Sequence, residues 1–94
     1  MKQIFKVVVQ TEPQSVTRQD GTQTQKCTIV LQEMGGRYEN SYACVMLGNM
    51  ASCKFFTNEY VYASIRFAHR EYNGQYYMDA TVQDIFKIDS SNTF

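Results

Sequence analysis

Gly48-Asn49-Met50-Ala51-Ser52-Cys53-Lys54-Phe55-Phe56 is the stretch on which the fold turns. Runs of alternating side chains flank it on both sides, and within it the alternation stops. Its apolar spacing fits a short helix or helical turn that plugs one end of a barrel.

Upstream, Tyr, Val, Ile, Phe and Thr recur at period two, the spacing that puts alternate side chains on one face of a strand. The stretch Lys2 to Val16 reads as the first strand, with Phe5, Val7 and Val9 on one face and Pro13 marking an edge or bulge. Arg18-Gln19-Asp20-Gly21-Thr22 reads as a turn. The second strand, Thr24 to Glu33, puts Cys27, Ile29 and Leu31 on its inner face. Gly35-Gly36 then closes a hairpin, because paired glycines tolerate the positive φ of a two-residue primed turn. With Met34 opposite Arg37, Ile29 faces Tyr42 and Cys27 faces Cys44. The third strand has Tyr42, Cys44 and Met46 inside and Ser41, Ala43, Val45 and Leu47 outside, so it is apolar on both faces.

Downstream, Glu59 to Ala68 is the fourth strand, with Val61, Ala63, Ile65 and Phe67 inward. Asn73-Gly74 is a strong hairpin signal, and Tyr76 to Lys87 follows as the fifth strand with Tyr76, Met78, Ala80 and Val82 inward. On this reading Tyr42 and Tyr76 belong to the core. Three strands, a plug and a final hairpin make the order β-β-β-α-β-β, that of an all-β, five-stranded OB-type barrel. SH3-like barrels, the nearest competitor, place their helical turn just before the last strand.

A chain of 94 residues, 44% of them hydrophobic, has length for one such core. The expected organisation is one barrel domain over residues 1–88 and a short polar tail over 89–94. No apolar run approaches the roughly 20 residues of a membrane span, and the N-terminus turns polar before a signal-peptide core forms. Cys27, Cys44 and Cys53 have no CxxC spacing and suit reduced thiols packed as small hydrophobes, which points to a cytoplasmic protein. Neither a metal nor a small-molecule cofactor is expected, since His69, the one histidine, is far in sequence from every cysteine.

Catalysis finds no constellation. His69 lies beside Arg70 at a strand end without a paired nucleophile, and Asp79 and Asp84 fall on opposite faces of a regular strand. No phosphate-binding glycine loop is present. Nine basic and nine acidic residues cancel, so no global field draws in a polyanion and any nucleic-acid binding rests on local arrangement.

A glycine in the first loop, an alternating second strand, the run Tyr42 to Gly48, and Arg70-Glu71-Tyr72-Asn73-Gly74 before a tyrosine-rich last strand carry a resemblance over roughly Ile4 to Ile88. In these features the chain resembles a family of short bacterial OB-fold proteins of unassigned activity that are themselves similar to single-stranded-DNA-binding proteins. Leu47 stands where that family carries a large aromatic, and Gln83 and Asp84 stand where it carries basic or aromatic residues.

OB proteins bind single strands by stacking bases on aromatic rings and passing the backbone along Lys and Arg, on the second and third strands and the loops beside them. The candidates here are Arg18, Lys26 and Arg70 for phosphates and Tyr72 and Tyr77 for bases. The outer stripe Val30, Ala43, Val45 and Leu47 lacks rings and reads better as a contact between subunits of a homodimer or tetramer. The expected function is a non-catalytic single-stranded nucleic-acid-binding module, DNA ahead of RNA. The alternative is an assembly or protein-interaction domain that binds no nucleic acid. The terminal Phe94 resembles the partner-recruiting phenylalanine that ends the tail of bacterial single-strand binders, although the segment here carries one acid, Asp89.

Overall fold

The computed structural model of the protein describes residues 1–36 and 39–88. In chain order its elements are β1 (Lys2–Gln10), β2 (Gln14–Thr17), β3 (Gln23–Glu33), β4 (Ser41–Leu47), α1 (Asn49–Ser52), β5 (Tyr60–Tyr72) and β6 (Gln75–Lys87). Five strands close a ring in the order β1-β3-β4-β6-β5 and back to β1, and β2 pairs beside the start of β3. All these pairings are antiparallel except the seam where Val45 of β4 meets Thr81 of β6 in parallel. With its one helix between β4 and β5, this connectivity is that of an OB-type barrel.

The alternation read from the sequence fills the barrel. Phe5 and Val7 of β1, Ile29 and Leu31 of β3, Cys44 and Met46 of β4, Val61 and Ala63 of β5 and Val82 of β6 are all sealed from solvent. Ala51 and Phe55 close the core from the plug. Each fully buried side chain of Val, Leu, Ile, Phe or Met size contributes about 1.5 to 3 kcal/mol relative to leaving it in water.

Gln10 fixes the plug in place. Its Nε2 donates to the Cys53 carbonyl at 2.8 Å, and its Oε1 accepts from the Phe55 backbone N–H at 2.7 Å. One amide thus satisfies an acceptor and a donor that α1, a single turn, leaves over. Gly48 enters that turn at φ 67°, where a Cβ would be strained.

Besides a bulge between Val7 and Val9, which turns Val9 away from the face of Phe5 and Val7 and leaves it 46% exposed, three features depart from the sequence reading. The long first strand is two strands, β1 and β2, because the chain leaves the ladder at 11–13. Pro13 has no N–H to give, and Thr11 bridges the break by accepting the Thr28 N–H on its Oγ1 at 2.9 Å while donating its own N–H to the Thr28 carbonyl at 2.9 Å. The β3–β4 register is displaced by two residues, so Ile29 faces Cys44 and Cys27 faces Met46. The turn is longer than a two-residue one: pairing ends at Gln32 with Ser41, and the Glu33 N–H reaches the Asn40 carbonyl at 2.9 Å. Arg37, the expected turn partner of Met34, lies outside the described residues. A slip of two preserves which side chains face inward, so the core assignment survives it.

The third departure concerns Tyr76. A bulge between Ser64 and Ile65 shifts the β5–β6 register and brings Asp84 to the same outer face as Asp79, not the opposite one expected of a regular strand. Beyond it the two strands pair continuously out to Tyr72 and Gln75, well past the barrel wall, and the molecule measures 50 × 31 × 18 Å. Tyr76 and Met78 keep the inward parity expected of them, but at their level there is no barrel to enclose. They are 70% and 69% exposed, so Tyr76 is not a core residue.

Candidate nucleic-acid interface

The projecting hairpin begins with local chemistry. Asn73 and Gly74 adopt φ of 53° and 78°, the doubly positive backbone of a type I′ turn whose twist matches that of paired strands. That turn sets Tyr72 opposite Gln75, Arg70 opposite Tyr77, Ala68 opposite Asp79 and Arg66 opposite Thr81. These residues form one face of the hairpin. Because Thr81 meets Val45, the face continues onto the outer surface of β4 and β3.

Three of the five expected binding residues are on this face. The Arg70 guanidinium lies 4.9 Å from the centre of the Tyr77 ring, a cation-π contact. Its Nε also meets the Asp79 carboxylate, at 2.9 Å to Oδ2 and 3.2 Å to Oδ1. Tyr77 in turn donates its hydroxyl to Gln75 Oε1 at 2.7 Å. Tyr72 is 64% exposed at the tip. The ring and the cation are therefore held ready, with the cation already sharing a carboxylate.

Lys26 lies further along the same outer surface, between Gln14 of β2 and Leu47 of β4. From the level of Leu47 to that of Tyr77 the ladder spans six residue steps, two along β4 and four along β6, or about 20 Å at strand rise. Arg18 is more distant, in the β2–β3 turn. Its N–H donates to the Thr22 carbonyl at 2.7 Å, and its carbonyl accepts from Gly21 at 3.0 Å. In that turn Asp20 accepts the Thr22 hydroxyl at 2.7 Å and the Thr22 N–H at 3.0 Å, and the hydroxyl first, then the N–H, hold its carboxyl below the usual aspartate range. The fold thus gathers Arg70, Tyr72 and Tyr77 into one cluster and keeps Lys26 and Arg18 apart from it. Val30, Ala43, Val45 and Leu47 occupy the surface between, with Val30 paired to Ala43.

The opposite face of the hairpin was not singled out from the sequence. It carries Phe67, His69, Tyr76 and Met78. The His69 ring is 6.3 Å from that of Tyr76, tilted by 47°, and Phe67 meets Tyr42 edge-on at 5.6 Å. The available signal was length: two 13-residue strands outrun the 9 residues of β1, so part of their inward face has no core to enter.

Among the described residues no cluster of three or more His, Cys, Asp or Glu side chains could hold a metal. Burial pushes the Cys44 thiol up to about 11, the setting of an inert packed thiol. No helix among the described residues is long and apolar enough to cross a membrane.

No protein-family model and no curated protein matches the sequence. Among solved structures, the chain is similar to the second OB-fold domain of replication protein A from Methanococcus maripaludis. The TM-score is 0.72 at 20% identity, and the match covers 94% of this chain and 82% of that one. At that identity the likeness establishes the OB fold.

Proposed function

We propose that this chain is a non-catalytic module that binds single-stranded nucleic acid, DNA ahead of RNA. The observation that carries the reading is the β5–β6 hairpin, which holds Tyr72, Tyr77 and Arg70 in the open on one face and His69 and Tyr76 on the other. Folding gains little from rings left in water, whereas base stacking uses them at about 1 to 3 kcal/mol per base. The structural neighbour is a domain of replication protein A, and an OB barrel presents its ligand surface on the strands and loops that carry these residues here.

On this reading Arg70 and Lys26 contact phosphates and Arg18 supplies a more distant one, while Tyr72 and Tyr77 stack. A strand running from the hairpin towards the β2–β3 turn crosses Val45 and Val30, so the apolar stripe serves as the floor of the path. Three cations on a chain of zero net charge predict a shallow salt dependence, with a log-log slope of about −2 for a single strand. Three free cysteines fit a reducing, cytoplasmic setting.

The test is fluorescence titration of labelled single-stranded DNA and RNA at two salt concentrations, with Tyr77→Ala and Tyr72→Ala beside the unmodified chain. Stacking predicts a loss of roughly tenfold per ring. Absence of binding at low salt ends the proposal.

A further inference from the structure

The outer side of β1, β5 and β6, nearer the base of the hairpin, also carries apolar side chains, and the register arranges them in order. On the outer side of β1, β5 and β6, Ile4, Tyr62 and Phe86 lie in one row across the three strands. They are 45%, 41% and 61% exposed. The next row is Lys6, Tyr60 and Ile88, the last aligned by its N–H bond to the Tyr60 carbonyl at 3.0 Å. The row on the other side is Lys2, Ser64 and Asp84. An apolar centre with charges in the rows that flank it is the make-up of a contact surface.

We propose that two copies of this chain pair through that face. The charges select both the occupant and its orientation. A half-turn about an axis parallel to β5 lays β1 of one copy over β6 of the other. Lys2 then faces Asp84 of the second copy, and by symmetry Asp84 faces its Lys2. Ile4 packs on Phe86, Tyr62 on Tyr62 and Tyr60 on Tyr60, and the Lys6 stem lies along Ile88. An axis across the strands would instead set Lys2 against Lys6, a like-charge contact that disfavours it. Among the described residues neither Lys2 nor Asp84 has an ion-pair partner within its own chain. Two sheets meeting in this way form an aligned β-sandwich contact, with strand directions nearly preserved.

The contact is three strands wide, smaller than an obligate interface, so the dimer is reversible and responds to dilution. It leaves the β3–β4 outer face uncovered and does not depend on nucleic-acid binding. Its location also differs from the Val30, Ala43, Val45 and Leu47 stripe suggested by the sequence.

Sedimentation over a concentration series, without oligonucleotide, tests it. The unmodified chain passes from monomer to dimer. Phe86→Glu, at an exposed position, keeps the fold and abolishes association, whereas Val45→Glu leaves association unchanged. Lys2→Glu and Asp84→Lys each create two like-charge contacts and weaken the dimer by about tenfold, and the double reversal restores it. A chain that stays monomeric at every attainable concentration overturns the proposal, as does a dimer that tolerates Phe86→Glu or is not rescued by the double reversal.

Discussion

Tyr42 donates its hydroxyl to Glu33 Oε2 at 2.8 Å, joining β4 to β3 where the barrel is not plugged by α1. The hydrogen bond from Tyr42 holds the Glu33 carboxyl below the usual glutamate range and raises the phenol above its own. Glu33 therefore lends stability at neutral pH that fades as pH falls through its lowered folded value. Tyr42 lends stability that fades as pH rises through its raised one. The Tyr42→Phe variant should melt lower than the unmodified chain at neutral pH, and the gap should narrow in acid and in strong base. Melting curves across pH check this; a gap independent of pH would show that the hydroxyl is not the source. The Tyr42 ring stays packed on Phe5 and Phe67 in either case.

On the proposed reading, Asp79 competes with nucleic acid for Arg70. Its carboxylate is 2.9 Å from the guanidinium and carries like charge to a phosphate. Asp79→Asn should therefore tighten oligonucleotide binding severalfold at low salt and steepen the salt slope by up to about one unit. Arg70→Ala should weaken binding and make the slope shallower. Anisotropy titrations read both, and an Asp79→Asn affinity equal to or below the parent's counts against a phosphate role for Arg70.

The hairpin tip and the barrel should respond differently to Gly74→Ala. No atom lies within 4 Å of a Cβ at Gly74, so the cost is the left-handed backbone alone, about 1 to 2 kcal/mol. That strain falls on a segment beyond the core. Amide exchange should quicken from Arg70 to Tyr77 while Val61, Ala63 and Ile65 keep their protection. Uniform loss of protection would mean that the tip and the barrel unfold as one unit.

These tests also mark where sequence reading succeeds and fails. Phe5, Ile29, Leu31, Cys44, Met46, Val61 and Val82 could be assigned to the core because strand periodicity decides which face they take, and a register error of two residues leaves that face unchanged. Tyr76 and Met78 could not, since periodicity gives a direction and says nothing about whether a core lies there. For the candidate site, the Asn73-Gly74 turn identified Arg70, Tyr72 and Tyr77 as neighbours. The Asp79 carboxylate on Arg70 and the distance of Arg18 from the cluster depend on register and barrel closure, which one chain's pattern does not supply. The Phe94 expectation lies outside the described residues.

Gln10 offers the sharpest test of how the barrel is closed. Its amide bonds to both Cys53 and Phe55, and Phe55 is only 6% exposed, so Gln10→Ala strands a donor and an acceptor at the lip of the core. The expected loss is about 1 to 3 kcal/mol in denaturant unfolding. Cys53 reports the same event chemically. It is the one exposed thiol of the three, whereas Cys27 and Cys44 are buried, and burial holds the Cys44 thiol up at about 11. A thiol reagent at neutral pH should thus label the native chain once, at Cys53, and the remaining two only as the barrel opens. In Gln10→Ala, Cys27, which sits under the plug with its Sγ 3.8 Å from the Ala51 carbonyl, should become reactive before Cys44. If Cys27 and Cys44 react together in that variant, Gln10 stabilises the whole barrel rather than securing its plug.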